Sequence, residues 1–193
     1  MKKGMALICL LAVLFAIGCL RETRKKYYPD GRVKSNCKYE DDMLNGLCKK
    51  YSEKGFLELE ETYKANVRNG KYKAYYENGQ VREEGTFKDD KWEGAFKAFY
   101  KDGRLKQEGT VKDSRWDGPV KRYHENGQVK EEGTFKDGGP EGIFREYYLS
   151  GRLKEERSFK NGREEGVRRE YDENGQLKKE TIYIDGRAVV NHK

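Results

Sequence analysis

Six glutamates, Glu60, Glu84, Glu108, Glu132, Glu156 and Glu180, recur at intervals of 24 residues. Paired carboxylates can act as general acid and base, so this column is the first place to look for chemistry. Lysines and arginines stand beside it, as in VREEGTFKDDK from Val81 to Lys91. A carboxylate column repeated among cations reads as a charge ladder rather than a reaction centre. There are only two histidines, His124 and His192, too few for a Ser-His-Asp or Cys-His nucleophile. His124 falls in the column of Tyr76, Tyr100 and Tyr148 and reads as an aromatic stand-in on a sheet face. Cys37 and Cys48 alone supply too few ligands for a metal ion. The glycines fit turns and positions beneath rings, not a phosphate cradle. No catalytic residue, metal site or cofactor is expected, and the chain does not read as an enzyme. What remains is recognition. Trp92 and Trp116 precede Glu93-Gly94 and Asp117-Gly118, and as loop-tip indoles they are candidate anchors for a partner. Tyr76, Tyr100, His124 and Tyr148 are candidate stacking residues.

The elements that position these residues repeat. Gly31, Gly55, Gly79, Gly103, Gly127, Gly151 and Gly175 lie 24 apart, and so do Gly46, Gly70, Gly94, Gly118, Gly142 and Gly166. An aromatic column runs from Tyr27 to Tyr171, an aliphatic one from Val33 to Leu177, and a further apolar one from Tyr39 to Tyr183. No insertion interrupts the columns between residues 27 and 183. Such self-similarity is the mark of a repeat array, in which each unit leans on its neighbours.

Charged residues make up 39% of the chain and the mean hydropathy is -1.12, values that often accompany disorder. The periodic placement of 14 Tyr, 8 Phe and 2 Trp argues for order instead. The net charge is +7, but acids and bases are interleaved, unlike the clustered basic stripe of a nucleic-acid binder. Within a unit, Val81, Gly85 and Phe87 alternate with Arg82, Glu84 and Thr86, and Phe96, Ala98 and Tyr100 alternate with Lys97, Phe99 and Lys101. Period-two alternation predicts two strands per unit. Asn78-Gly79, Asp102-Gly103, Asn126-Gly127 and Asn174-Gly175 predict tight turns, and Asp89 to Gly94 predicts a longer loop. The fold expected is all-β, an antiparallel meander with no helix after residue 20. Pairing across the longer loop that sets Gly85 opposite Phe96 also sets Phe87 opposite Gly94, with the ring of Phe96 over Gly85. Carried along in steps of 24, it sets Gly109 opposite Val120, Gly133 opposite Phe144 and Cys37 opposite Cys48. A Cys37–Cys48 disulfide is therefore expected outside the cytoplasm, closing a short loop that contributes ~3 kcal/mol at most.

The N-terminus reads as an address. Lys2 and Lys3 precede an apolar run from Ala6 to Ile17. That run is too short for a membrane-spanning helix, which needs ~20 residues, and suits a signal peptide. Its end, Phe15-Ala16-Ile17-Gly18-Cys19, resembles a bacterial lipobox, with Ala16 where Leu is usual. The resemblance implies a diacylglyceryl group on Cys19 and cleavage before it, while Leu20 rather than Asp next to Cys19 implies outer-membrane retention. A periplasmic or secreted protein is the alternative. Residues 1–18 are then signal peptide, 19–26 a basic tether, 27–187 an array of six to seven units, and 188–193 a tail.

The units Tyr75 to Asp89, YYENGQVREEGTFKD, and Tyr123 to Asp137, YHENGQVKEEGTFKD, resemble MORN repeats, in the variant found in YwqK-like antitoxin proteins. Glu93-Gly94, Asp117-Gly118, Glu141-Gly142 and Glu165-Gly166 resemble the second MORN glycine. The resemblance implies an elongated single-layer sheet of stacked hairpins that binds partners, oligomerises or touches membranes. Together with the lipobox it implies a non-catalytic, lipid-anchored scaffold binding a protein or another component of the bacterial envelope. Two alternatives use the same surface: an antitoxin or immunity-type binder of a toxic partner, and a carbohydrate-binding module.

Overall fold

The structure, a computed structural model, describes residues 20–189. The expected signal peptide and its helix, Cys19, His192 and the last residues of the tail lie outside them. The described residues form seventeen strands and no helix. In chain order these are β1 (Arg21–Tyr27), β2 (Val33–Glu40), β3 (Met43–Tyr51), β4 (Leu57–Lys64), β5 (Val67–Tyr75) and β6 (Val81–Lys88). They continue with β7 (Lys91–Trp92), β8 (Gly94–Phe99), β9 (Leu105–Lys112), β10 (Arg115–Tyr123), β11 (Val129–Lys136) and β12 (Gly139–Tyr147). The last are β13 (Leu153–Lys160), β14 (Arg163–Glu164), β15 (Gly166–Tyr171), β16 (Leu177–Ile184) and β17 (Arg187–Val189). Strands adjacent in sequence pair antiparallel, with β7 and β8, like β14 and β15, acting as two halves of one strand. The sheet is thus one open meander.

Three local expectations are corrected. The stretch read as a tether is strand β1, with Arg24 opposite Cys37 and Thr23 opposite Lys38. It stands 24 residues before part of β3 and fills the free edge of β2. Its polar side chains, which share the composition of a linker, are those an outermost strand needs against unwanted pairing. The turns are also exchanged. At Asn78-Gly79 the strands part at Tyr75 and rejoin at Val81. Gly79 N donates to Tyr76 O at 2.9 Å, and only Gly79, at φ 82°, is left-handed, the pattern of a type I turn with a glycine bulge. At Asp89-Asp90 both residues have positive φ, 50° and 63°, and Lys88 pairs directly with Lys91, so the expected longer loop is a two-residue type I′ turn. Finally, Phe87 faces Trp92 rather than Gly94. Glu93 and Gly94 are extra residues in a bulge, with Glu93 N bonded to Thr86 O at 2.9 Å, and beyond it the expected register resumes at Glu84 opposite Lys97.

Both long margins of the ribbon tie each hairpin to the next. On the type I′ side, Asp90 N donates to Arg68 O and Ser114 N to Trp92 O, each at 3.0 Å. Trp92 N returns a bond to Ser114 Oγ at 3.0 Å. The acids before the bulge glycines reach the following turn as well: Asn161 N donates to Glu141 and Asp185 N to Glu165, each at 2.8 Å. The Glu-Gly pairs of the repeat therefore tie neighbouring units together.

A single layer has no second sheet to bury against, so apolar side chains bury one another along one face. That face carries the buried residues Cys37, Cys48, Ala74, Phe87, Val111, Val120 and Phe144. Cys37 lies opposite Cys48 and is bonded to it. Large side chains lie over glycines, as expected for Gly109, opposite Val120, and for Gly133, where a Cβ would collide with the Phe144 ring. At Gly85 the expectation changes. It is Trp92 whose Cζ3 would sit 2.8 Å from an added Cβ, because the bulge brings the indole back over the glycine.

Candidate binding surfaces

Three surfaces run the length of the ribbon. The first is the apolar face. Trp92 and Trp116 are half-buried there instead of standing free at loop tips. Trp92 meets Tyr72 at 4.8 Å, Phe87 at 4.1 Å and Phe96 at 5.3 Å between ring centroids, and Phe96 meets Trp116 at 5.5 Å. Most of these contacts are edge-to-face, the arrangement that ring quadrupoles favour. Further along, Phe144 lies between Phe135 and Phe159 at 5.2 and 5.1 Å. Towards the C-terminus the face turns polar. Glu155 is buried and pairs with Arg168, with Arg157 at 3.7 Å.

The second surface is the opposite face, which carries the glutamate column. Lys49 binds Glu60 at 2.7 Å, Lys73 binds Glu84 at 3.0 Å, Lys121 binds Glu132 at 3.2 Å, Arg145 binds Glu156 and Arg169 binds Glu180 at 2.9 Å. A tyrosine 15 residues further on donates to several of the same carboxylates: Tyr75 to Glu60 and Tyr123 to Glu108 at 2.7 Å, Tyr147 to Glu132 at 2.8 Å. The Lys49 hydrogen bond is the main reason the Glu60 carboxyl is held below its usual range, and Tyr147 does the same for Glu132. The contacts along the column are structural ion pairs and hydrogen bonds, and at Glu60 and Glu132 they favour the charged carboxylate.

Burial first, and the acceptor carboxylate second, push the Tyr75, Tyr123 and Tyr147 phenols up to about 12. An unfolded tyrosine titrates near ~10. The fold therefore holds these protons more tightly than the unfolded chain does. Their contribution is complete below pH ~10 and is lost as the pH rises towards 12. Tyrosinate absorbance of the native protein should lag behind that of the denatured chain across this window, with unfolding following. Coincident titration curves would contradict the arrangement. Tyr75→Phe should remove its share of the lag.

The third surface is the margin of type I turns. Here Tyr76 Oη donates to Phe99 O at 2.8 Å, Tyr100 to Tyr123 O at 2.6 Å, and Tyr148 to Tyr171 O at 2.7 Å. His124 Nε2 lies 3.0 Å from Tyr147 O and fills the same rung with its ring N–H. Each bond spans 23 residues to the next unit. The side chains expected to form a stacking surface are all half-buried, and their polar atoms point inward to the backbone. The column thus clamps neighbouring turns together. This role was not readable from the spacing, because each acceptor is a main-chain carbonyl nearly one full unit away.

No cluster of three or more potential metal ligands occurs among the described residues. Trp92, Phe96 and Trp116 are gathered on one face, whereas Tyr76, Tyr100, His124 and Tyr148 form a separate line along the margin. A family model described as the MORN repeat variant matches residues 68–89, 92–113, 116–137, 140–161 and 164–185. No curated protein matches the chain.

Proposed function

Because the chain belongs to the MORN repeat variant family, we propose that it is a non-catalytic, lipid-anchored scaffold of the bacterial cell envelope that binds a protein partner through its aromatic face. The observation that carries this reading is the row Tyr72, Trp92, Phe96 and Trp116, half-buried rings in mutual contact on a sheet with no second layer. Aromatic side chains that are partly dehydrated and rigidly supported are the usual anchors of protein interfaces. The hydroxyls of Tyr76, Tyr100 and Tyr148 are engaged by carbonyls of the next unit, which gives that column a role in joining units. Acylation at Cys19 would leave only Leu20 between the lipid and strand β1, so the sheet itself would stand at the membrane surface. Lipid attachment is strong because each buried CH₂ contributes ~0.8 kcal/mol and more than one chain is used.

A photo-crosslinking side chain placed at Phe96, on the aromatic face, or at Lys97, on the opposite face, tests the reading in envelope preparations. Adducts specific to position 96 are expected. Adducts confined to position 97 would move the interface to the charged face, and adducts at neither would remove the binding role. Fatty-acid labelling should be lost in Cys19→Ser, and labelling that persists would sink the anchor.

A further inference from the structure

The first unit leaves a space that later units fill. Leu44 holds the column of Trp92 and Trp116, and Cys48 that of Tyr72, Phe96 and Phe144. A leucine and half of a disulfide occupy far less volume than an indole and a phenyl ring, and the difference stays open. A cavity of about 350 Å³ lies over the Cys37–Cys48 bond on the apolar face, walled by Leu44 and by Tyr28, Tyr39, Tyr51 and Tyr63. Among the described residues these four tyrosine rings touch no other ring, whereas Tyr72, Phe87, Trp92 and Phe96 pack against one another. The rim is cationic. Lys26, Lys34 and Lys50 border the cavity, against Glu58 as the one carboxylate. Lys50 is held by Glu61 at 2.7 Å. Lys26 and Lys34 have no carboxylate partner among the described residues, and Lys34 lies 5.4 Å from the centre of the Tyr28 ring. Two free ammonium groups thus face one free carboxylate.

We infer that this cavity binds a small aromatic carboxylate, with its ring among the tyrosines and its charge paired with Lys26 and Lys34. Apolar walls with a few polar groups at the mouth are the usual make-up of a ligand cavity, and its volume stands at the low end of the ~300–1,000 Å³ such cavities span. It therefore suits one or two fused rings rather than a long or branched molecule. Ring quadrupoles favour edge-to-face contact, as Tyr72 makes with Trp92 at 4.8 Å, so an aromatic body gains more from these walls than an aliphatic one. No residue of the row from Tyr72 to Trp116 lines the cavity, and the site is separate from the partner surface proposed above.

Indole-3-propionate is the probe, titrated into the full chain and followed by NMR. It should shift the resonances of Leu44, Tyr39 and Tyr63 saturably and leave those of Phe96 and Phe144 unmoved. Its neutral amide, indole-3-propionamide, should bind at least about threefold more weakly at low salt, the scale of exposed ion pairs, and added salt should close the gap. Octanoate, which has the charge without the ring, should also bind more weakly than the probe. Leu44→Trp places in the cavity the side chain that its column carries at Trp92 and Trp116, and should abolish the shifts. Lys26→Gln combined with Lys34→Gln changes two exposed side chains; it should remove the preference for acid over amide and leave amide binding unchanged. Absence of saturable shifts, equal binding of acid and amide at low salt, octanoate binding as tightly as the probe, or undiminished shifts in a folded Leu44→Trp protein would each overturn the assignment. Shifts spread evenly to Phe96 and Phe144 would do the same, since they would mean adsorption along the whole aromatic face.

Discussion

Phe144→Ala is expected to destabilise the protein by about 3–5 kcal/mol, the usual cost of deleting a well-packed phenyl ring. Phe144 is 4% exposed, the most buried ring of the apolar face, and it contacts Phe135 and Phe159 edge to face. In a two-layered domain, an opposing sheet could slump into the space. Here the walls are the side neighbours alone, and the strands beneath are fixed by hydrogen bonds to the units on either side, so the gap stays open. Melting should fall by roughly 6–20 °C, since 1 kcal/mol shifts a chain of this size by ~2–4 °C. In a repeat array the loss divides the ribbon, because stability is a sum of units and their interfaces. Hydrogen exchange should therefore accelerate most in β11 to β13. A loss under about 1 kcal/mol would mean that the face contributes little to folding.

Gly133→Ala should cost about 1–3 kcal/mol, the penalty of overpacking, because the added methyl would enter the Phe144 ring. The sign of the same substitution should reverse when the ring is gone. In the Phe144→Ala background, alanine fits the vacated space, and the gain of about 0.5–1 kcal/mol from replacing glycine in a strand becomes visible. The double-mutant cycle, read from denaturant midpoints at constant slope, should show a coupling of more than about 1.5 kcal/mol. Additive effects would mean that the glycine column is set by backbone geometry and not by the ring above it.

The repeat and its strands were legible because side-chain alternation and glycine spacing coincide without slippage over the whole array. Cys37 opposite Cys48 follows from the same register, as does Gly109 opposite Val120. The bulge was harder to see. Asp137-Gly138 and Asn161-Gly162 form type I′ turns, with both residues at positive φ, whereas at Asn126-Gly127 only the glycine is left-handed. The same kind of dipeptide thus serves two turn types. What separates them is the neighbouring geometry: Asn126 Oδ1 accepts from Gln128 N and its amide donates to Leu149 O, a contact in the next unit that no local window contains. The regular spacing of Gly46, Gly70 and Gly94 did carry a signal for the bulge, since these glycines sit at φ 112°, 130° and 86°. Exchanging the two turns displaced Trp92 from the indole row to a loop tip. Strand β1 is hidden in the sequence for a different reason. An edge strand with Arg24, Lys25 and Lys26 has the composition of a linker, and only the vacancy beside β2 turns it into a strand.

The ties at both margins join each unit to the next one only. No unit therefore senses how many others the ribbon contains. Removing or duplicating a whole 24-residue block leaves every remaining joint intact, whereas removing one residue would break register with the next unit. Because neighbouring strands lie ~4.8 Å apart, each two-strand block adds about 10 Å of reach. The protein is in effect a ruler graduated in hairpins, and the distance between its first and last strands is a quantity that gene duplication can set in steps.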